Sequence, residues 1–116
     1  MLYVIGLQNC DKTRAARKWL EKQGFEYEFV DINKEPLTES ELKELIHKVG
    51  LDVLLNKRSR TWRELGLSDK NPNDRELTNI MKDHQKLIQR PVLIDDEAVI
   101  VGFDGDAWSS FLQEEA

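Results

Sequence analysis

A single cysteine, Cys10, stands between a short apolar run, Leu2 to Ile5, and an amphipathic basic run that carries Lys12, Arg14 and Arg17. A lone thiol has two ordinary fates. Packed among apolar side chains, it behaves as a small inert hydrophobe. Placed at the start of a helix beside cationic side chains, it ionises readily and becomes a nucleophile. The second setting is physically available here. The first-turn N–H groups of a helix are unpaired and carry partial positive charge. Lys12, Arg14 and Arg17 add to that charge, and Asp11 opposes it. Asp11 or Thr13 is the expected N-cap. With only one cysteine in the chain, an internal disulfide is excluded. A mixed disulfide on Cys10 could then be released only by an outside thiol, through thiolate attack on sulfur.

Two further features could serve such a thiol. Pro91, preceded by Arg90, opens the apolar stretch Val92 to Ile94, a place where a strand tolerates proline if its missing N–H is not needed. The run "NKRSRTWREL", Asn56 to Leu65, sets Lys57, Arg58, Arg60 and Arg63 close together in an acidic protein. Such a run reads either as a solvated face or as an anion subsite, where arginine forks grip a carboxylate or oxyanion. His47 and His84 have no metal-ligand spacing to each other or to Cys10, so no metal site is expected. Trp19, Trp62 and Trp108 read as packing residues.

The elements that must position these residues follow from periodicity. Leu2 to Ile5 has strand length, and Ala15, Ala16, Trp19 and Leu20 recur at helical spacing. Gly24 can end that helix. Phe25 to Ile32 alternates as a strand, which makes a βαβ unit with a right-handed crossover. Thr38 and Glu41 spell a capping box before a helix with Leu42, Leu45, Ile46 and Val49 on one face, stopped by Gly50. Leu51 to Leu55 is short and apolar, Trp62 to Leu65 predicts one helical turn, and Asn73 or Asp74 opens a helix with Leu77, Ile80 and Met81 inward. His84 to Gln89 reads as a turn or a short second helix. Arg90, pushed out of the α region by Pro91, ends the helical stretch. Val92 to Ile94 and Ala98 to Val101 predict a hairpin around Asp95-Asp96-Glu97. Asp104 or Asp106 caps a last helix with Ala107, Trp108, Phe111 and Leu112. The expected fold is α/β: a small mixed sheet with βαβ and ββα halves and a helical insertion at about 38–89, as a single domain over residues 1–116.

Bulk properties set outer limits. The chain has 116 residues, and 40% of them are hydrophobic and 34% charged, the balance of a soluble globular domain. The net charge of −5 argues against general nucleic-acid binding. No apolar run approaches the roughly 18 residues of a membrane span. Met1 to Asn9 has no basic segment before a long apolar stretch, so no signal peptide is expected. One cysteine without a disulfide partner fits a cytoplasmic location.

The anchors "NCDKTRAARKWL" (Asn9 to Leu20), "LLNKRSRTWREL" (Leu54 to Leu65), "LIQRPVLIDDE" (Leu87 to Glu97) and "VGF" (Val101 to Phe103) resemble the arsenate reductase (ArsC)/Spx family over essentially the whole chain. Its YffB-like branch fits best, with a single cysteine, "LLN" followed by an arginine, and a short C-terminus. The resemblance implies a thioredoxin-like fold, Cys10 as nucleophile, Arg90 as active-site arginine, and a cis bond at Pro91 beside the cysteine. It further implies ligand contacts from Asn9, Lys12, Thr13, Asn56, Arg58, Arg60 and Pro91. The resemblance implies no bound cofactor and glutathione as co-substrate. The implied partners are glutathione or a glutaredoxin as external thiol, and a small oxyanion or disulfide as substrate. The chain departs from the arsenate-reducing pattern of three arginines around the oxyanion. Asn56 stands where one is expected, and no arginine stands near Gly102. It also departs from the Spx regulators, many of which carry a CxxC switch, because the last position of "CDKT" is Thr13. The alternative implied by Spx is a regulator that binds a subunit of RNA polymerase without turnover.

Overall fold

In the computed structural model of the chain, which describes residues 1–115, four strands form one mixed sheet. The strands are β1 (Leu2–Gly6), β2 (Tyr27–Asp31), β3 (Val92–Asp95) and β4 (Ala98–Val101), in the order β2-β1-β3-β4. The β1–β2 pair is parallel, with Leu2 opposite Tyr27 and Gly6 opposite Asp31. The β1–β3 and β3–β4 pairs are antiparallel. A βαβ half and a ββα half thus meet where their central strands β1 and β3 pair, which is the thioredoxin-like arrangement.

The chain divides into two compact units, Met1–Pro36 with Arg90–Ala116, and Leu37–Gln89. The first holds the sheet, α1 (Asp11–Lys22) and α7 (Gly105–Glu115). Leu2 and Val4 of β1, Leu93 of β3, Ala16 and Leu20 of α1, and Trp108 and Leu112 of α7 make its core. Alternation along β1 turns Leu2, Val4 and Gly6 to one face, and the helical repeat brings Thr13, Ala16 and Leu20 to the face that meets it. α1 ends in a Schellman motif: the Phe25 N–H bonds the Leu20 carbonyl at 2.9 Å and the Gly24 N–H bonds that of Glu21 at 3.1 Å. Gly24 sits at φ +83°, a region that costs other residues free energy. Trp19, Phe103 and Trp108 stack edge to face, with Phe103 and Trp108 centroids 5.0 Å apart.

The second unit holds α2 (Glu39–Val49), α3 (Leu51–Leu54), α4 (Arg60–Glu64), α5 (Leu67–Lys70), α6 (Asp74–Asp83) and a 3-10 turn at Gln85–Leu87. The expected capping box at Thr38 and Glu41 is formed, and Asn73 with Glu76 forms a second at α6. Between them lies α5, which periodicity did not anticipate. It has four residues, bounded by Gly66 and Asn71 in left-handed conformation, and only Leu67 of them is buried. The Gln85 side chain fastens the entry to this unit: it accepts from the Leu37 N–H at 2.8 Å and donates to the Leu37 carbonyl at 2.7 Å.

The hairpin at Asp95 to Ala98 is formed, with Asp96 at φ +54°. The Asp104 carboxylate accepts from the Asp106 N–H at 3.0 Å, which settles the start of α7 in favour of Asp104. No helix among the described residues is long and apolar enough to cross a membrane.

Candidate functional site

Cys10 is the N-cap of α1, with φ −90° and ψ 123°. Its carbonyl accepts from the Arg14 N–H at 2.9 Å and its own N–H bonds the Leu7 carbonyl at 3.1 Å. This corrects the expectation of Asp11 or Thr13 at the cap. Asp11 is already helical and exposed, and its carboxylate pairs with Arg14 one turn on. Thr13 lies a turn inside the helix with its side chain buried against the sheet. The helix therefore begins on the cysteine itself, and the sulfur sits at the partly positive end of α1.

Thr13 reaches that position because β1 ends on Gly6. A Cβ built on Gly6 would stand 2.5 Å from the Thr13 Oγ1 and 2.7 Å from its Cγ2. Any larger residue in β1 would expel the threonine. Thr13 is fully buried; its hydroxyl has no oxygen or nitrogen partner among the described residues and serves the Cys10 sulfur as the thiol ionises. A buried hydroxyl without an acceptor is costly, and its neighbour at the head of the helix is the cysteine sulfur.

The thiol responds to five influences. Burial, the largest, pushes its pKa up. The Thr13 hydroxyl, the Thr13 N–H, and then Arg90 by hydrogen bonding and by charge pull it down, and together they prevail, so Cys10 ionises below the ordinary thiol value. Cys10 is only partly buried, as the reactivity of a nucleophile requires. Arg90 enters from the other half of the sheet, immediately before β3, and the Arg90–Pro91 peptide bond is cis. The Pro91 carbonyl accepts from the Gly102 N–H at 2.7 Å, and the Gly102 carbonyl accepts from the Trp108 indole at 2.7 Å. A chain of hydrogen bonds thus ties the residues beside Arg90 to the core of the unit.

The other candidate residues fall in several places. Asn9 is exposed in the turn before Cys10. Lys12 lines a cleft of about 230 Å³ with Gly102, Phe103, Asp104 and Trp108, so the region near Gly102, where an arsenate-type arginine is missing, presents backbone and an aspartate. Asn56, Arg58 and Arg60 belong to the Leu37–Gln89 unit. There the Asn56 side chain accepts from the Arg58 N–H at 3.0 Å, and Arg60 pairs with Glu64 at 2.9 Å on the exposed side of α4. Lys57 lies over the Trp62 ring, and Arg63 donates to the Arg58 carbonyl. Spacing offers Thr13 as an N-cap, the resemblance offers it as a ligand contact, and neither gives Gly6 a role. The structure buries Thr13 against the bare backbone of Gly6, and the signal for both lay in the strand-to-helix register. Among the described residues no three His, Cys, Asp or Glu side chains converge as metal ligands would.

The sheet order, the cis proline and the N-cap cysteine place this chain among thioredoxin-like proteins that carry one cysteine at the start of the first helix. Within that class the chain belongs to the ArsC family, whose pattern matches residues 5–111. It is 34% identical over 105 residues to an uncharacterized protein of Haemophilus influenzae, covering 90% of this chain and 92% of that one. It is 32% identical to the global transcriptional regulator Spx 2 of Oceanobacillus iheyensis, covering 90% of this chain and 78% of the regulator. Among solved structures it is similar to the YffB protein, with a TM-score of 0.88, 26% identity, and coverage of 95% of this chain and 97% of that one.

Proposed function

We propose that the protein is a monothiol reductase in which Cys10 exchanges disulfides with glutathione. The observation that carries this reading is the set of groups around the sulfur. Thr13, through hydroxyl and N–H, and Arg90 hold Cys10 below the ordinary thiol pKa against the effect of burial, while the residue stays partly exposed. In the reaction the Cys10 thiolate attacks one sulfur of a disulfide. The new S–S bond forms as the old one breaks, and the second thiol leaves as thiolate. A second glutathione, or a glutaredoxin, then attacks the mixed disulfide, forms a disulfide with the released half, and returns Cys10 as thiolate. Arg90 steadies the negative charge as it moves between sulfurs. Arsenate reduction is a narrower version of the same chemistry. Of the three oxyanion arginines that the resemblance calls for, only Arg90 is present, so a thiol substrate fits the residues better.

The test is mass spectrometry after incubation with oxidised glutathione, joined to turnover of a mixed disulfide in the presence of reduced glutathione. A single adduct on Cys10, and turnover that disappears in Cys10→Ser, are the expected results. Absence of an adduct, or alkylation that half-rises only near pH ~9 as for an unassisted thiol, sinks the reading. The kinship with Spx regulators supports a second one, in which the protein docks on a subunit of RNA polymerase and Cys10 is redox-sensitive without turnover. Co-purification of RNA polymerase with a Cys10→Ala variant, together with inactivity in the thiol assays, would favour it.

A further inference from the structure

Arg17 sits two turns beyond Cys10 on α1 and is half-buried. Its guanidinium carbon lies 3.9 Å from the centre of the Phe29 ring, and its Nε donates to the Tyr27 hydroxyl at 3.0 Å. The carboxylate one turn further along the helix, Glu21, does not reach Arg17, because it accepts from that same tyrosine hydroxyl. The guanidinium is therefore stacked and fixed by its inner nitrogen, and among the described residues neither outer nitrogen meets a protein acceptor. Stacking on an aromatic ring with a planar fork left open is a geometry suited to a carboxylate.

Arg17 lines a cleft of about 350 Å³ together with Gln8, Phe29, Asp31, Lys34 and Glu35. That volume lies within the usual range for small-molecule sites, roughly 300–1,000 Å³. The cleft opens where parallel strands β1 and β2 end, the side on which α/β sheets take ligands. Of its two carboxylates, Asp31 is already engaged, with Oδ1 accepting from the Asn33 N–H at 2.9 Å and Oδ2 from the Gln8 N–H at 3.3 Å. Glu35 has no such partner among the described residues and is exposed. A dianionic phosphate would meet both carboxylates unfavourably. A ligand with one carboxylate and one ammonium meets the Arg17 fork and Glu35 together.

We infer that this cleft binds the amino-acid head of a thiol peptide, its α-carboxylate on Arg17 with Lys34 beside it and its α-ammonium on Glu35. The inference rests on the thiol-exchange reading for its link to Cys10. Gln8 is two residues from the cysteine, and Arg17 lies about 10 Å from it along the helix at 1.5 Å per residue. That is the reach of a tripeptide whose central sulfur meets Cys10 while its amino-acid end lies in the cleft.

The probe is S-methylglutathione, which has no exchangeable thiol, added to the isotopically labelled protein and followed by NMR. The expected result is saturable shifts at Phe29, Lys34 and Glu35, with affinity falling about tenfold in Arg17→Lys, which keeps the charge and loses the fork, and about threefold in Glu35→Gln, a change at an exposed residue outside the core. Absence of saturable shifts up to millimolar probe, or affinities unchanged in both variants, overturns the inference. Binding without any Cys10 adduct from oxidised glutathione would keep the cleft and remove the thiol-exchange reading. An adduct that forms at the same rate in wild type and Arg17→Lys, with no probe binding, would do the reverse.

Discussion

Replacing Thr13 with valine separates reactivity from stability in this protein. The side chain is fully buried, and its hydroxyl, with no oxygen or nitrogen partner among the described residues, favours the Cys10 thiolate. Valine keeps the shape and removes the oxygen. A hydrogen bond to a charged group contributes roughly 1.5–3 kcal/mol, and the partial exposure of the sulfur reduces this to about 1 kcal/mol. With 1.4 kcal/mol corresponding to tenfold, the thiolate fraction at pH 7 falls about fivefold, and because the more basic thiolate is about twofold more reactive, alkylation of Cys10 by iodoacetamide should slow about two- to threefold. The sign with pH follows from the lowered thiol pKa. The charged form is favoured in the folded protein, so its contribution to stability is present above the ordinary thiol value and is lost as pH falls through the lowered one. In Thr13→Val that loss moves to higher pH, and the alkylation rates of the two proteins converge to within about twofold above pH ~10. Folding should respond in the opposite sense. Below the lowered thiol pKa the hydroxyl has no charge to serve, and removing it from a buried site relieves a cost of about 1–3 kcal/mol, so at pH below that value Tm should stay level or rise by a few degrees. Two results would refute the reasoning: equal alkylation rates at pH 7, or a fall in Tm of several degrees with no change in reactivity.

Two further substitutions test the scaffold behind Cys10. Gly6→Ala drives a methyl group to 2.5 Å from the Thr13 Oγ1. It should cost about 1–3 kcal/mol in urea unfolding, and pairing it with Thr13→Ala should recover at least about 1 kcal/mol of that, because only the contact with Cβ at 3.1 Å persists; strict additivity would show that the two residues do not share the space. Trp108→Phe preserves most of the packing and deletes the indole bond to the Gly102 carbonyl. The expected loss is about 1–2 kcal/mol, with faster deuterium exchange at the Gly102 N–H, whose bond to Pro91 depends on the same segment; protection equal to wild type would contradict that coupling.

The local codes were legible without a structure. Thr38 with Glu41, Asn73, Gly24, Gly50 and the Asp95 to Glu97 turn act within a few residues, through hydrogen bonds and backbone conformations that the residue types themselves prefer, and each appears where the spacing put it. Alternation and helical repeat also gave the βαβ and ββα halves, because burial of one face imposes its period on the chain. The α5 helix escaped this reading, since four residues contain little more than one turn and only Leu67 of them is buried.

The sequence by itself determined that one thiol stands at a strand-to-helix junction among cations, and that no second thiol exists to resolve it. Tertiary structure decided what surrounds that thiol. Whether Thr13 or Cys10 caps α1 depends on how closely the helix settles on β1, and the missing side chain of Gly6 permits the closest approach. Arg90 joins Cys10 only because β3 pairs with β1 across some eighty residues of chain. Arg17 is one of several cations on α1 by sequence, but the register of β2 puts Phe29 beneath its guanidinium and Tyr27 at its inner nitrogen. These relations arise where separate elements pack, and distances of that kind are written in the packing of β1, β2 and α1 together, in no single segment.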